Sequence, residues 1–232
     1  MQPNAYGQSV PVPPAPAAPT KKFNGKVVTG LVLVLVALIF AAMAMFGSWW
    51  SLKESATGID ATIDFGLNQY CATGTIGGMT ATACQGYGTV FAGFSSFSKT
   101  QSLMGLAYLL TLLGLVMAIL TLILIVVGAG RPKLKMGVLI CGLIGGILLL
   151  VAFIYVFTGL TGAINDDMTG GTATPISGFF GSTSMAGIEL SWGGALGWYM
   201  ALFGFIMLMV GAIIAASGMK AARAPVPAPP PM

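Results

Sequence analysis

Long apolar runs separated by polar intervals of very unequal length set the pattern of this chain. Residues 27–47, 103–127, 134–157 and 194–217 are apolar almost throughout, and Lys135, beside the start of the third run, is the one Asp, Glu, Lys, Arg or His within them. About 20 such residues suffice to cross a bilayer as a helix, so the pattern predicts four transmembrane helices. The first run is too long for the apolar core of a cleaved secretory signal and follows a long polar tail, which reads as a retained helix. Between the second and third runs lies only Gly128-Ala129-Gly130-Arg131-Pro132-Lys133. A turn this short makes those two helices antiparallel neighbours.

The polar intervals 48–102 and 158–193 carry a different period. Ile59-Asp60-Ala61-Thr62-Ile63-Asp64-Phe65 alternates apolar and polar without a break. Period two predicts a strand with one covered face. Asp60, Thr62 and Asp64 would then face water, and Ile59, Ile63 and Phe65 an apolar layer. Residues 89–94 predict a second, less regular strand, and Ile188-Glu189-Leu190-Ser191-Trp192 another. Trp49-Trp50, at the end of the first span, reads as a membrane-interface anchor.

Small residues are patterned inside the spans. Gly197, Gly204, Gly211 and Gly218 recur every seven residues, and Gly137, Cys141 and Gly145 every four. Such stripes let helix backbones approach closely where lipid offers no hydrophobic drive to association. Two readings stand: the stripes pack within one four-helix monomer, or between protomers. Cys141 fits as one of the small packing residues.

Composition supports the membrane class. The 232 residues are 56% apolar and 7% charged, against about 25% charged in soluble domains, and the mean hydropathy is +0.90. The termini differ. Residues 1–26 and 218–232 are rich in Pro and Ala, a composition that predicts disordered tails. They act as solvated spacers or as ligands for Pro-motif-binding proteins.

The net charge of +4 is a matter of placement. Lys21, Lys22, Lys26, Arg131, Lys133, Lys135, Lys220 and Arg223 fall on one side of the four spans, and only Lys53 and Lys99 on the other. The positive-inside rule then predicts a multi-pass plasma-membrane protein with both termini cytoplasmic. All the acids (Glu54, Asp60, Asp64, Asp166, Asp167, Glu189) lie in the two outer intervals. No basic stripe with interleaved aromatics exists, so nucleic acid is not an expected partner.

Candidate chemistry is sparse. The chain has no histidine, which removes the commonest general base and metal ligand. No nucleophile elbow, phosphate-binding loop or Cys-x-x-Cys occurs. The expectation is no enzyme, no catalytic residue, no cofactor and no metal. Asp166-Asp167 reads as a solvated loop pair. Spans without ionisable side chains in their interiors also argue against an autonomous transporter. Cys71 and Cys84 lie in an outer interval, where thiols oxidise. A disulfide between them would staple a strand layer too small for a core of its own.

Several residues together carry a likeness. Trp49-Trp50 is followed by Phe65-Gly66-Leu67-Asn68-Gln69-Tyr70-Cys71, then by Cys84, and Lys99 precedes the second span. This layout over residues 27–217 resembles the claudin and peripheral-myelin-protein superfamily, with Asn68 where that family carries a tryptophan. The resemblance implies a claudin-like four-helix transmembrane bundle with a small extracellular antiparallel β-sheet of about five strands. It implies a structural or adhesion role through lateral or cell–cell contact, with the protein itself, other membrane proteins and membrane lipids as partners. Phe91, Phe94, Phe97, Phe179 and Phe180 are candidate contact residues; alternatively they touch the membrane interface or fill the core of the sheet. Asp60 or Asp64 would line a cation-preferring pore if one forms. The alternative is an auxiliary subunit that docks another membrane protein on the flat glycine face of the fourth helix.

Overall fold

The computed structural model describes residues 24–87, 97–129, 131–168, 176–185 and 187–219. The four helices are α1 (Gly25–Phe46), α2 (Ser98–Gly128), α3 (Lys135–Met168) and α4 (Leu196–Gly218). All are long and apolar enough to cross a membrane. They pack as a bundle in which α1 lies against α4, α4 against α3, and α3 against α2. A short 3₁₀ turn, Pro132–Leu134, joins α2 to α3.

Strands β1 (Ser48–Ala56), β2 (Ile59–Gly66), β3 (Gln69–Ile76) and β4 (Met79–Gly86) form between α1 and α2, and β5 (Gly181–Met185) and β6 (Ile188–Gly194) between α3 and α4. They make one antiparallel sheet in the order β4-β3-β2-β1-β6-β5. Among the described residues the sheet thus has six strands rather than about five. The strand expected at 89–94 lies outside the described residues, as do residues 1–23 and 220–232 of the Pro-rich tails; Gly25 and Lys26, expected in the first tail, belong to α1.

The helix ends differ from the apolar runs. α2 begins five residues before Leu103, and α3 continues past Phe157 to Met168. Thr158–Met168 is too polar to read as membrane span, so hydropathy alone ends the helix early. Tertiary partners carry it on. Asn165 clamps the backbone of Ile176, its Oδ1 accepting from Ile176 N at 2.9 Å and its Nδ2 donating to Ile176 O at 2.7 Å. One turn boundary away, Asp167 accepts from the backbone N–H groups of Lys99 (3.0 Å) and Thr100 (2.8 Å). A carboxylate of α3 therefore caps α2, meeting both the unpaired amides and the positive dipole of that helix start. Asp167 is not the solvated loop charge the sequence suggested.

The glycine heptad of α4 faces α1 and, at Gly197, the start of β1. A Cβ added at Gly197 would lie 2.9 Å from Ser48 O, one at Gly211 2.9 Å from Val34 Cγ2, and one at Gly218 2.9 Å from Val27 N. At Gly204 the nearest atom, Ala41 N, would be 3.5 Å away. α1 answers with Gly30, where a Cβ would lie 2.5 Å from Ala215 N. The seam is backbone against backbone, closed at one end by Asn24 Nδ2 donating to Gly218 O (3.1 Å). The face suggested as a docking surface is covered by α1. In α3, a Cβ at Gly145 would meet Met117 and Leu208 and one at Gly137 would touch only Leu124; Cys141 is a half-buried free thiol between them.

Candidate functional site

The sheet stands on the helix ends. Its strand ends at Ser48, Gly66, Gln69, Gly86 and Gly194 gather at the bundle with the β2–β3 turn, and the β1–β2, β3–β4 and β5–β6 turns lie at the opposite end. The junction is built by a bulge. The β1–β2 register slips between Ser48 and Trp50, leaving Trp49 without a partner across the ladder. An extra residue lets two consecutive side chains escape strict alternation, and Trp49 and Trp50 are both wholly buried. Trp49 Nε1 donates to Ala44 O, Trp50 Nε1 to Phe179 O, and Ala195 N to Trp49 O. Instead of anchoring at the lipid interface, the pair locks sheet to bundle.

Around them lies an aromatic floor. Trp50 packs on Phe65 (5.5 Å between ring centroids), Phe65 on Phe97 (5.9 Å) and Phe97 on Tyr70 (5.3 Å). Trp198 joins Phe179 (5.0 Å) and Phe153 (4.2 Å) on the helix side. Phe97 and Phe179 are therefore core residues and not contact residues. Phe180 is half exposed but rests on Trp198. Phe91 and Phe94 lie outside the described residues. Tyr87 is buried here with its hydroxyl donating to Gly66 O, and burial pushes its phenol pKa up. Leu67 and Gly66, of the Gly-Leu motif, sit at the β2–β3 turn, with Leu67 buried and Asn68 exposed.

The two faces of the sheet separate by register. Trp50, Leu52, Ile63, Phe65, Tyr70 and Trp192 share the helix side. Ser51, Lys53, Ser55, Asp60, Thr62, Asp64, Glu189 and Ser191 share the other. Asp60, Thr62 and Asp64 thus keep the alternation read from the sequence. Lys53 lies between Thr62 and Ser191, and Ser55 between Asp60 and Glu189, across the ladders. Ser55 Oγ donates to Asp60 Oδ1 at 2.6 Å. These residues, with Ser182 and Ser184 of β5, line a polar groove of about 660 Å³. Asp64 sits deeper in this face. Burial raises its carboxyl above the ordinary 3.8, and Lys53 partly offsets that. Hydroxyls and carboxylates in such a groove can exchange hydrogen bonds with a polar partner. Among the described residues, no three Asp, Glu or Cys side chains converge on a metal position.

On the same face, three cross-strand links run the length of the β3–β4 hairpin. Cys71 and Cys84 form a disulfide with Cα atoms 4.0 Å apart. Thr73 and Thr82 hydroxyls meet at 3.0 Å, as do those of Thr75 and Thr80. The turn is Gly77-Gly78, with φ of 57° and 83°, the two left-handed positions a type I′ hairpin requires. The sequence signal was available: Thr-x-Thr on either side of Gly-Gly marks a two-residue hairpin. The tip is apolar. Ile59 pairs with Ile76, and Ile76 with Met79, and these three are 49%, 62% and 81% exposed. Lys99 is exposed at the start of α2, where its backbone amide is taken by Asp167.

No protein-family model matches the chain, and no curated protein matches it significantly.

Proposed function

We propose that this protein is a claudin-like structural or adhesion protein of the plasma membrane, acting through its outer sheet by lateral or cell–cell contact. In this reading the tails and the α2–α3 turn are cytoplasmic, because the basic residues collect there, and the sheet is extracellular. The observation that carries it is the β3–β4 hairpin. Residues 69–86 contain no charge and no proline, and β4 is an edge strand exposed from Met79 to Cys84. Soluble edges are normally guarded by charge, proline or a bulge, and contiguous exposed apolar side chains mark contact sites. Ile59, Ile76 and Met79 form such a patch at the point farthest from the bundle. An auxiliary-subunit role would need a surface other than the glycine face, which α1 occupies.

The full chain reconstituted into two differently dyed vesicle populations tests the reading. Vesicles carrying the parent protein cluster, and Met79→Asp, at an exposed tip position, abolishes most clustering. Thr82→Pro separates edge from tip. In a two-residue hairpin Ile76 and Met79 form the hydrogen-bonded closing pair, so the Thr82 amide points away from β3. A proline there leaves the sheet intact but blocks strand addition. Parent vesicles that stay dispersed at high protein density overturn the adhesion reading.

A further inference from the structure

α3 and α4 make close contact where Gly142 meets Ala212 and Gly146 meets Met209. Toward the bundle end that carries the α2–α3 turn, an apolar cleft of about 300 Å³ lies between them. Met136, Leu139, Ile140 and Leu143 form one wall, and Ala212 and Ile213 form part of the other. The α3 residues fall at i, i+3, i+4 and i+7, a single helical face, and Ala212 supplies too little side chain to fill the space beside them. Every lining side chain is apolar, so a hydrocarbon chain fits the cleft and a polar ligand does not.

The mouth has the opposite character. Lys135 lies one turn before Leu139 on the same side of α3, and Arg131 and Lys133 lead into it. All three are exposed. No acid lies in the first turn of α3, and none occurs between residues 65 and 165. The cleft is therefore apolar along its length and cationic at its rim. We propose that it is a binding site for an anionic phospholipid, with one acyl chain between α3 and α4 and the phosphate held by Arg131, Lys133 and Lys135. Basic rims between transmembrane helices select anionic headgroups in this way. The site is independent of the adhesive reading and of which leaflet the turn faces.

The test is native mass spectrometry of the full chain in mild detergent, titrated with phosphatidylglycerol or phosphatidylcholine. The parent protein retains phosphatidylglycerol on the order of a hundredfold better, as three cooperating basic residues imply. Replacing Arg131, Lys133 and Lys135 together by Gln makes the two lipids equivalent. Ile213→Trp, from a position 55% exposed, fills the cleft and releases phosphatidylglycerol with the basic residues intact. Circular dichroism and gel filtration show that each variant is folded, and Lys135→Gln alone gives a partial loss if the triple variant is not. Equal retention of both lipids by the parent overturns the site. Undiminished retention in Ile213→Trp also overturns it, because charge alone would then hold the lipid.

Discussion

Two glycine-rich regions of this molecule use glycine for opposite ends. Along the α1–α4 seam, glycine is present because another backbone occupies the space a side chain would need. In the β3–β4 hairpin, Gly74, Gly77, Gly78 and Gly86 have nothing within 4 Å of a built Cβ. There the residue serves turn geometry at Gly77-Gly78 and leaves a bare, uncharged surface elsewhere. The seam is closed and holds the fold. The hairpin is open and is held by covalent and hydroxyl links along one face. Glycine content alone does not distinguish the two; what lies opposite does.

Substitution at matched glycines breaks the comparison most sharply. Gly30→Val puts a branched side chain 2.5 Å or so from Ala215 N and near Gly211 O. Neither backbone atom can yield, and the loss exceeds about 4 kcal/mol, in the range reserved for severe core damage. The expected result is no monodisperse protein by gel filtration in detergent. Gly74→Val is the control. It meets open space, stays within about 0.5 kcal/mol of the parent, and melts at nearly the same temperature. If both variants behave alike, the seam is not what holds the bundle.

Next in size is the staple. Cys84→Ser opens a disulfide that closes a separation of 13 residues, worth about 3 kcal/mol in the chain-entropy account. The loss should fall on the sheet, leaving the helices folded. Limited proteolysis should then cut within residues 69–86 while far-ultraviolet circular dichroism keeps its helical signal. A collapse of helical signal as well would show that the seam depends on the hairpin.

The smallest effect concerns charge on the outer face. Burial raises the Asp64 pKa in the folded protein above its ordinary 3.8. The folded state therefore binds this proton more tightly than the unfolded chain does. The sign follows from linkage: stability is greatest below 3.8 and falls as pH rises through the raised value. Asp64→Asn removes the buried charge, so at neutral pH the variant should melt at a higher temperature than the parent. The difference should vanish on acidification below pH 4 or so. A variant that melts lower at neutral pH would show that the Lys53 attraction outweighs desolvation.

Much of the architecture was legible in the chain. The four spans follow from apolar length, a close-packing face on α4, though not its partner α1, from the seven-residue spacing of Gly197 to Gly218, and β2 and β6 from period-two alternation. The candidate site was legible in part. The cysteine pair and the Asp60–Thr62–Asp64 face could be read locally, because each depends on spacing within a strand. Trp49 and Trp50 could not, because a bulge is a property of two strands and only one is visible in the local sequence. Asp167 was misread for a related reason: its partners, the amides of Lys99 and Thr100, are 68 and 67 residues away in the chain. The exposed tip at Ile59, Ile76 and Met79 was missed because alternation names a face without saying how far the helices cover it.

The seam also sets an order of assembly. Of the four described helices α1 is made before the others and its backbone partner α4 after them, with Asn24 and Gly218 separated by 194 residues. At about 5–20 residues per second, that interval takes roughly 10–40 s of synthesis. Throughout it, the small-residue stripe of α1 at Gly30, Ala37 and Ala41 faces lipid or a membrane chaperone, while α2 and α3 already have each other. A ribosome that stalls before residue 196 leaves a chain with three inserted helices, in which α1 can still touch α2 but lacks its main partner α4. Such a chain presents the quality-control machinery with an unburied stripe, and the closing of α4 onto it is the step that covers that stripe.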